Sequence, residues 1–286
     1  MPSFPGSDGG QLHYDDRHGL RGGTGTPPWI TLAGGAARHP DYLGDLAGLE
    51  QEHRLIVPHL RGVGRSPMPD SAAVASFWRQ AADVECLRVQ LGQERVHLLA
   101  HSAGTRLAVS YAAQFPERLA AMVLVTPPAT YLVDVPPDAD ELVERRRGEP
   151  AFDAALAAAA AGPDAEDDAT VDAWQARVAP LGYATWGAAE RAHATIGRLR
   201  YAASRAFFSV DPPADLATRL GEVAAPVLVV GGAEDCVTGV APVLAVAKLF
   251  PAGEAVLIER CGHYPWVEQP AAFRRAVDSF IGGLQS

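Results

Sequence analysis

Cysteine is scarce and unpatterned in this chain: Cys86, Cys236 and Cys261 are the only three in 286 residues, with no C-x-x-C pair among them. An odd, scattered set supplies neither a disulfide framework nor a cysteine zinc site, and it fits a reducing, cytoplasmic compartment. Positive charge is also short. With 24 Lys and Arg against 34 Asp and Glu, the formal net charge is −10 and the pI is near 5.3. A phosphate backbone or an anionic membrane would repel such a surface, so neither nucleic acid nor membrane is an expected partner. Long apolar runs are missing too, none approaching the roughly 18 residues of a membrane-spanning helix. Residues 1–10 are polar and glycine-rich, without the basic-then-apolar order of a secretory signal.

What the chain has is apolar content, 48%, distributed in short runs. Segments 29–32, 54–57, 96–100, 121–126, 227–230 and 255–258 are each apolar without polar alternation, the pattern of strands covered on both faces of a parallel sheet. Helical stretches at 41–52, 71–91, 102–114, 242–250 and 270–284 separate them, and such alternation predicts an α/β fold. Residues 11–14 are expected to add an antiparallel edge strand or hairpin. One region breaks the rhythm. From 131 to 220 there are alanine-rich helical stretches split by Gly-Pro, Asp-rich and Pro-Pro breaks, and no strand pattern. This predicts a core of 1–130 and 221–286 with an inserted helical lid over 131–220, emerging at the sheet edge where ligands bind in open α/β folds.

The sharpest motif is Ala100-His101-Ser102-Ala103-Gly104, where a strand gives way to a helix. A serine between small residues suits a nucleophile elbow, because strand and helix backbones nearly touch at that turn. The same serine would also serve as a helix N-cap. The rest of the chain decides between the two. Asp235 follows the 227–230 strand in Gly231-Gly232-Ala233-Glu234-Asp235, and His263 follows the last strand in Cys261-Gly262-His263-Tyr264-Pro265-Trp266. Serine, aspartate and histidine thus fall in that order, each at a predicted strand end, which is the order of hydrolases with an elbow serine and unlike that of other serine-protease folds. The catalytic set is therefore read as Ser102, Asp235 and His263. An oxyanion hole needs one N–H from the residue after the serine, Ala103, and one from the glycine-rich loop Ala33-Gly34-Gly35-Ala36-Ala37, for which Gly35 is preferred.

With these residues assembled, the chain resembles the α/β-hydrolase superfamily, and within it the proline iminopeptidase-like serine peptidases. The resemblance also rests on Leu60-Arg61-Gly62-Val63-Gly64-Arg65-Ser66, similar to the family's Asp-x-Arg-Gly-x-Gly-x-Ser, and on Gly262-His263-Tyr264-Pro265-Trp266 with the helix that follows. It implies an α/β-hydrolase fold, a mostly parallel sheet with helices on both faces, and two-step acyl transfer without metal or cofactor. Three departures stand out: Ala33-Gly34 replaces the family's His-Gly, His59 its Asp, and Ala100 the first elbow glycine. The tryptophan common in related aminopeptidase elbows is Ala103 here. The favoured activity is nevertheless an aminopeptidase-like cleavage of a small-molecule or short-peptide substrate. Carboxylesterase, lactonase or thioesterase action is the alternative, with a lyase, cyclase or ligand-binding role on the same fold beyond it. A free substrate amine would need a carboxylate in the lid. Glu190 is the first candidate for it, ahead of Glu141 and Glu144, and Trp186, Phe207 and Trp266 are candidates for lining the pocket.

Overall fold

The structure is a computed structural model and describes residues 2–19 and 27–284; residues 1, 20–26, 285 and 286 of the expected core lie outside them. Eight strands form one sheet: β1 (Ser3–Pro5), β2 (Gln11–Arg17), β3 (Trp29–Leu32), β4 (Leu55–Pro58), β5 (Val96–His101), β6 (Leu119–Val125), β7 (Val227–Gly232) and β8 (Gly253–Ile258). Their spatial order is β1-β2-β4-β3-β5-β6-β7-β8. The first two strands form an antiparallel hairpin, β2 pairs antiparallel with β4, and all remaining pairs are parallel. The expected strands are all present, as is the antiparallel edge. The central ones are apolar because both faces are covered: Leu98, Leu99 and Ala100 of β5 and Met122, Val123 and Leu124 of β6 are wholly buried. Each large side chain so buried stabilises the fold by about 1.5–3 kcal/mol relative to an exposed one.

Helices α1 (Leu49–Glu52), α2 (Ala81–Gln90) and α3 (Gly104–Gln114) connect β3 through β6, and α10 (Ala241–Val246), α11 (Pro265–Glu268) and α12 (Pro270–Gly283) follow β7 and β8. Between β6 and β7 lie α4 (Ala139–Arg145), α5 (Pro150–Ala161), α6 (Asp168–Val178), α7 (Ala188–Ala194), α8 (Tyr201–Phe207) and α9 (Leu216–Leu220). One core layer joins α2, α3, α9 and α10 to the sheet; the other joins Tyr42, Leu43, Leu49 and the buried face of α12.

Two predicted helices are shorter than their patterns suggest. The stretch 41–52 breaks because Gly44, Leu46, Ala47 and Gly48 all take positive φ, leaving a single 3-10 turn at Pro40–Leu43 and the short α1. The stretch 71–91 breaks at Ser76, whose extended backbone ends a 3-10 turn before α2 begins.

The chain runs from β3 outward to β4, then back across to β5 on the other side of β3. That reversal leaves a crevice beyond the C-terminal ends of β3 and β5, the place where open α/β sheets bind ligands. The inserted segment is tied to the core around this edge. Arg38 and Leu199 form a β-bridge, His39 N–H donates to the Arg198 carbonyl at 2.8 Å, and His263 N–H donates to the Gly182 carbonyl at 2.9 Å.

Candidate active site

Ser102 sits one residue past β5 with φ of +50°, a left-handed conformation rare for a non-glycine residue. Its N–H donates to the Val125 carbonyl at 2.9 Å, which fixes the turn against the end of β6. The small neighbours are sterically required. A Cβ on Gly104 would lie 2.5 Å from the Ala33 carbonyl oxygen and 2.6 Å from that of Leu32, and one on Gly34 would lie 2.6 Å from the His101 carbonyl oxygen. Ala100 pairs in register with Leu32 and is fully buried, so a methyl group is tolerated where the family pattern has glycine.

Asp235 and His263 are brought together. His263 Nδ1 lies 2.8 Å from Asp235 Oδ2, and Asp235 is completely buried. The carboxylate also accepts from Val237 N–H at 2.8 Å, Thr238 N–H at 3.3 Å and the Thr238 hydroxyl at 2.5 Å. Burial opposes the ionised form, but the facing His263 and these hydrogen bonds outweigh it and hold the Asp235 carboxyl below the usual carboxylate range. A rigidly held carboxylate whose ionised form is favoured orients an imidazole with its Nδ1 protonated, leaving Nε2 to accept a proton. Among the described residues no hydrogen bond joins the Ser102 hydroxyl to His263. Contacts of this kind often tighten only when substrate binds. His101, the residue before Ser102, packs on His263 with ring centroids 4.9 Å apart.

The loop after β3 is strained. Gly35, Ala36 and Ala37 have φ of +65°, +45° and +74° in succession. Among the described residues, the N–H groups of Gly35 and Ala103 have no hydrogen-bond acceptor, whereas Gly34 N–H donates to the Tyr42 hydroxyl at 2.6 Å. That hydroxyl lies 2.8 Å from His101 Nδ1, and His101 Nε2 lies 3.0 Å from the His263 carbonyl oxygen. Complete burial and the neighbouring His263 keep His101 uncharged, its pKa well below that of a free histidine. One tautomer satisfies the set: Tyr42 donates to Nδ1, and the Nε2 proton goes to the carbonyl. A Gly34–Tyr42–His101–His263 chain therefore braces the glycine loop and the histidine loop together, in place of the missing His-Gly histidine. Tyr42→Phe would orphan the buried Gly34 N–H and His101 Nδ1. It is expected to destabilise the protein by about 2 kcal/mol or more, measured by urea unfolding.

The lid candidates separate from the site in instructive ways. Glu190 is buried, and as the third residue of α7 it accepts the Gly187 N–H at its Oε2 at 2.9 Å, capping the start of that helix. Glu141 and Glu144 are exposed and face Arg145 and Arg147. Phe207 has no exposed surface; it packs in the core on Phe77, with ring centroids 5.6 Å apart, and so lines no open pocket. Trp186 packs on Tyr183 at 5.4 Å. Trp266 is buried edge-on against His101 at 4.8 Å, behind the histidine loop rather than in a cavity.

A cavity of about 460 Å³ opens on Gly35, Arg38, Tyr183 and Tyr264, walled on its far side by Leu199 and the alanines of α6. Arg38, which the sequence reading did not single out, is half-buried there. Its Nε donates to the Gly197 carbonyl at 2.9 Å, Nη2 donates to the Ile196 carbonyl, and Nη1 lies 3.3 Å from the Tyr264 hydroxyl. Among the described residues it has no carboxylate partner. The Arg61 motif proves structural: its buried guanidinium pairs with Asp83 and Asp8 at 2.6 and 2.9 Å, while His59 accepts from Arg65 N–H at 3.2 Å. No group of residues suited to a metal ion occurs among the described residues.

Comparison with known proteins identifies the family and the fold. A family profile described as alpha/beta hydrolase fold matches residues 18–270. A 2-hydroxy-6-oxononadienedioate/2-hydroxy-6-oxononatrienedioate hydrolase of Cupriavidus pinatubonensis is 28% identical over 196 residues, 68% of this chain and 64% of that protein. The chain thus matches somewhat less than two thirds of that relative's length. A proline iminopeptidase of Xylella fastidiosa is 31% identical over 127 residues, 43% of this chain and 41% of the other, in keeping with the resemblance drawn from the motifs. Among solved structures, an esterase from Rhodococcus sp. ECU1013 aligns with a TM-score of 0.75 at 25% identity, covering 99% of this chain and 98% of that one.

Proposed function

The chain belongs to the alpha/beta hydrolase fold family, and on that premise we propose that it is a serine hydrolase cleaving a small carboxylic ester through an acyl-enzyme. The observation that carries the proposal is the 2.8 Å contact between His263 and the fully buried Asp235, formed at the sheet edge where Ser102 holds its left-handed turn. In this mechanism His263 Nε2 takes the hydroxyl proton as Ser102 Oγ attacks the ester carbonyl. The N–H groups of Gly35 and Ala103 receive the negative charge that develops on the carbonyl oxygen. His263 then returns the proton to the departing alkoxide, and water, deprotonated by the same imidazole, releases the acid.

The choice of ester over peptide follows from the lid. Cleavage at a free N-terminus needs a carboxylate for the substrate ammonium, and Glu190 spends its Oε2 on the cap of α7. Arg38 argues instead for negative charge on the substrate: it is a guanidinium without a carboxylate partner among the described residues, at the wall of the cavity that reaches Gly35. A charge-assisted hydrogen bond from it would recognise a second carboxylate on the substrate. The name of the Cupriavidus relative, a dienedioate hydrolase, is consistent with such a substrate.

The test is a substrate panel. Turnover of p-nitrophenyl esters, with none of proline naphthylamide, is expected; cleavage of the naphthylamide at a comparable rate would restore the aminopeptidase reading. Within the panel, Arg38→Met is expected to raise KM about tenfold, equivalent to about 1.4 kcal/mol, for an ester with a terminal carboxylate. A neutral ester of the same length should change much less, and an equal loss on both would assign Arg38 to structure alone.

A further inference from the structure

Glu268 is a carboxylate that the proposed chemistry does not use, and its surroundings are unusual. It lies on α11, five residues after His263 in the chain, and is partly buried. Its two oxygens accept only backbone N–H groups: Oε1 from Gly262 at 3.0 Å and from Tyr264 at 3.5 Å, Oε2 from Ala184 at 2.6 Å. Gly262 and Tyr264 flank His263. Ala184 belongs to the inserted segment, which also accepts the His263 N–H at the Gly182 carbonyl. The two loops pack without slack, since a Cβ on Gly262 would lie 2.8 Å from the Ala184 nitrogen and 2.9 Å from the Gly182 oxygen. Among the described residues no arginine or lysine pairs with Glu268.

We propose that Glu268 is a positioning residue whose ionised carboxylate latches the 182–184 segment to both sides of His263, so that uptake of a proton by Glu268 loosens the histidine and slows catalysis. The proposal rests on the assignment of His263 as the base. Three donors converging on one carboxylate are all satisfied only while both oxygens accept. A proton on Oε2 turns one acceptor into a hydroxyl that faces an N–H.

The groups around the latch set where this happens. Asp235 lies on the loop after β7, Cys261, His263 and Tyr264 on the loop after β8, and Tyr183 on the inserted segment. Burial is the dominant influence and pushes the Glu268 carboxyl up; the backbone N–H groups of Ala184, Gly262 and Tyr264 oppose it and Asp235 reinforces it, leaving a pKa of about 7. The sign follows from that direction. The carboxyl contributes stability that is fully present below its ordinary value of 4.5 and is lost as pH rises through about 7. The ionised latch therefore aligns the histidine at the expense of stability.

The experiment pairs a pH–rate profile with hydrogen exchange. Glu268→Gln keeps the shape but supplies an acceptor on only one side. At pH 8 it is expected to lower kcat about tenfold with KM within twofold, and to speed exchange of the Ala184 and Gly262 amides about tenfold. Wild type should lose rate on the acid side more steeply than one ionisation allows, and the variant with a single one. Wild-type kcat in the variant, or unchanged protection at both amides, overturns the proposal. Should the variant fail to fold, wild type decides: protection at Ala184 and Gly262, corrected for intrinsic exchange, falls between pH 8 and pH 6 if the latch is real and stays constant if it is not. A wild type that turns over no ester refutes the hydrolase assignment instead, and the exchange result still stands apart from it.

Discussion

Asparagine in place of Asp235 is expected to reduce kcat by roughly 10⁴-fold while the fold and KM stay close to wild type. The hydrogen bonds dictate which way the amide must face. Oδ1 accepts two backbone donors, Val237 N–H and Thr238 N–H, whereas Oδ2 faces His263 Nδ1 and the Thr238 hydroxyl. An amide NH₂ at the Oδ1 position would point at two N–H groups that cannot turn away. The NH₂ therefore takes the Oδ2 position, where it donates to His263 Nδ1 and drives the imidazole proton to Nε2. The imidazole then presents a donor to Ser102, where the reaction needs an acceptor. Steady-state kinetics beside a thermal melt check this directly. A loss of only a few fold would mean that the Asp235–His263 pair orients nothing in the reaction.

The second large effect is steric. Gly232→Ala, at the end of β7, is expected to lower kcat by about 10²-fold, because a Cβ there would lie 2.0 Å from the Gly262 carbonyl oxygen and 2.5 Å from that of Cys261. Both are backbone atoms in the segment leading into His263, so the histidine loop must move by about 1 Å, a displacement that costs on the order of 10²-fold in well-aligned catalysis. The accompanying loss of stability is about 1–3 kcal/mol, as for other overpacked sites. Gly282→Ala in α12 is the control. Nothing lies within 4 Å of the added methyl, and alanine favours the helix by up to about 1 kcal/mol, so activity should be unchanged and stability equal or higher.

Which parts of this architecture could be read in the sequence follows from the range of the interactions concerned. Strands covered on both faces announce themselves as short apolar runs, so β3 to β7 and their alternation with helices were legible, and the half-exposed edge strand β8 was legible from the same kind of run at 255–258. So were the places of Ser102, Asp235 and His263 at predicted strand ends, because chain order and strand position are local properties. Long-range contacts were not. Tyr42 and His101 are 59 residues apart, and nothing in either neighbourhood announces that one hydroxyl serves both the glycine loop and the histidine. Phe207 looked like a pocket aromatic because its packing against Phe77 lies far away in the chain. Glu190 carries a local signal: a glutamate three residues past the glycine that starts a helix is at the spacing from which a carboxylate reaches back to the N-cap N–H. Glu268 showed no such pattern, since its donors are backbone groups, and the one that ties the two segments together, Ala184 N–H, lies more than 80 residues earlier. The breaks at Gly44 and Gly48 were visible as glycines, but the positive φ of Leu46 and Ala47 between them was not.

The central claim is that Ser102 is the nucleophile, and intact-protein and peptide mass spectrometry after treatment with a fluorophosphonate tests it most directly. The account predicts one adduct per chain on the peptide containing Ser102, abolished in Ser102→Ala and strongly slowed in Asp235→Asn. No adduct on the folded wild-type protein, or an adduct on another residue that persists in Ser102→Ala, would contradict it.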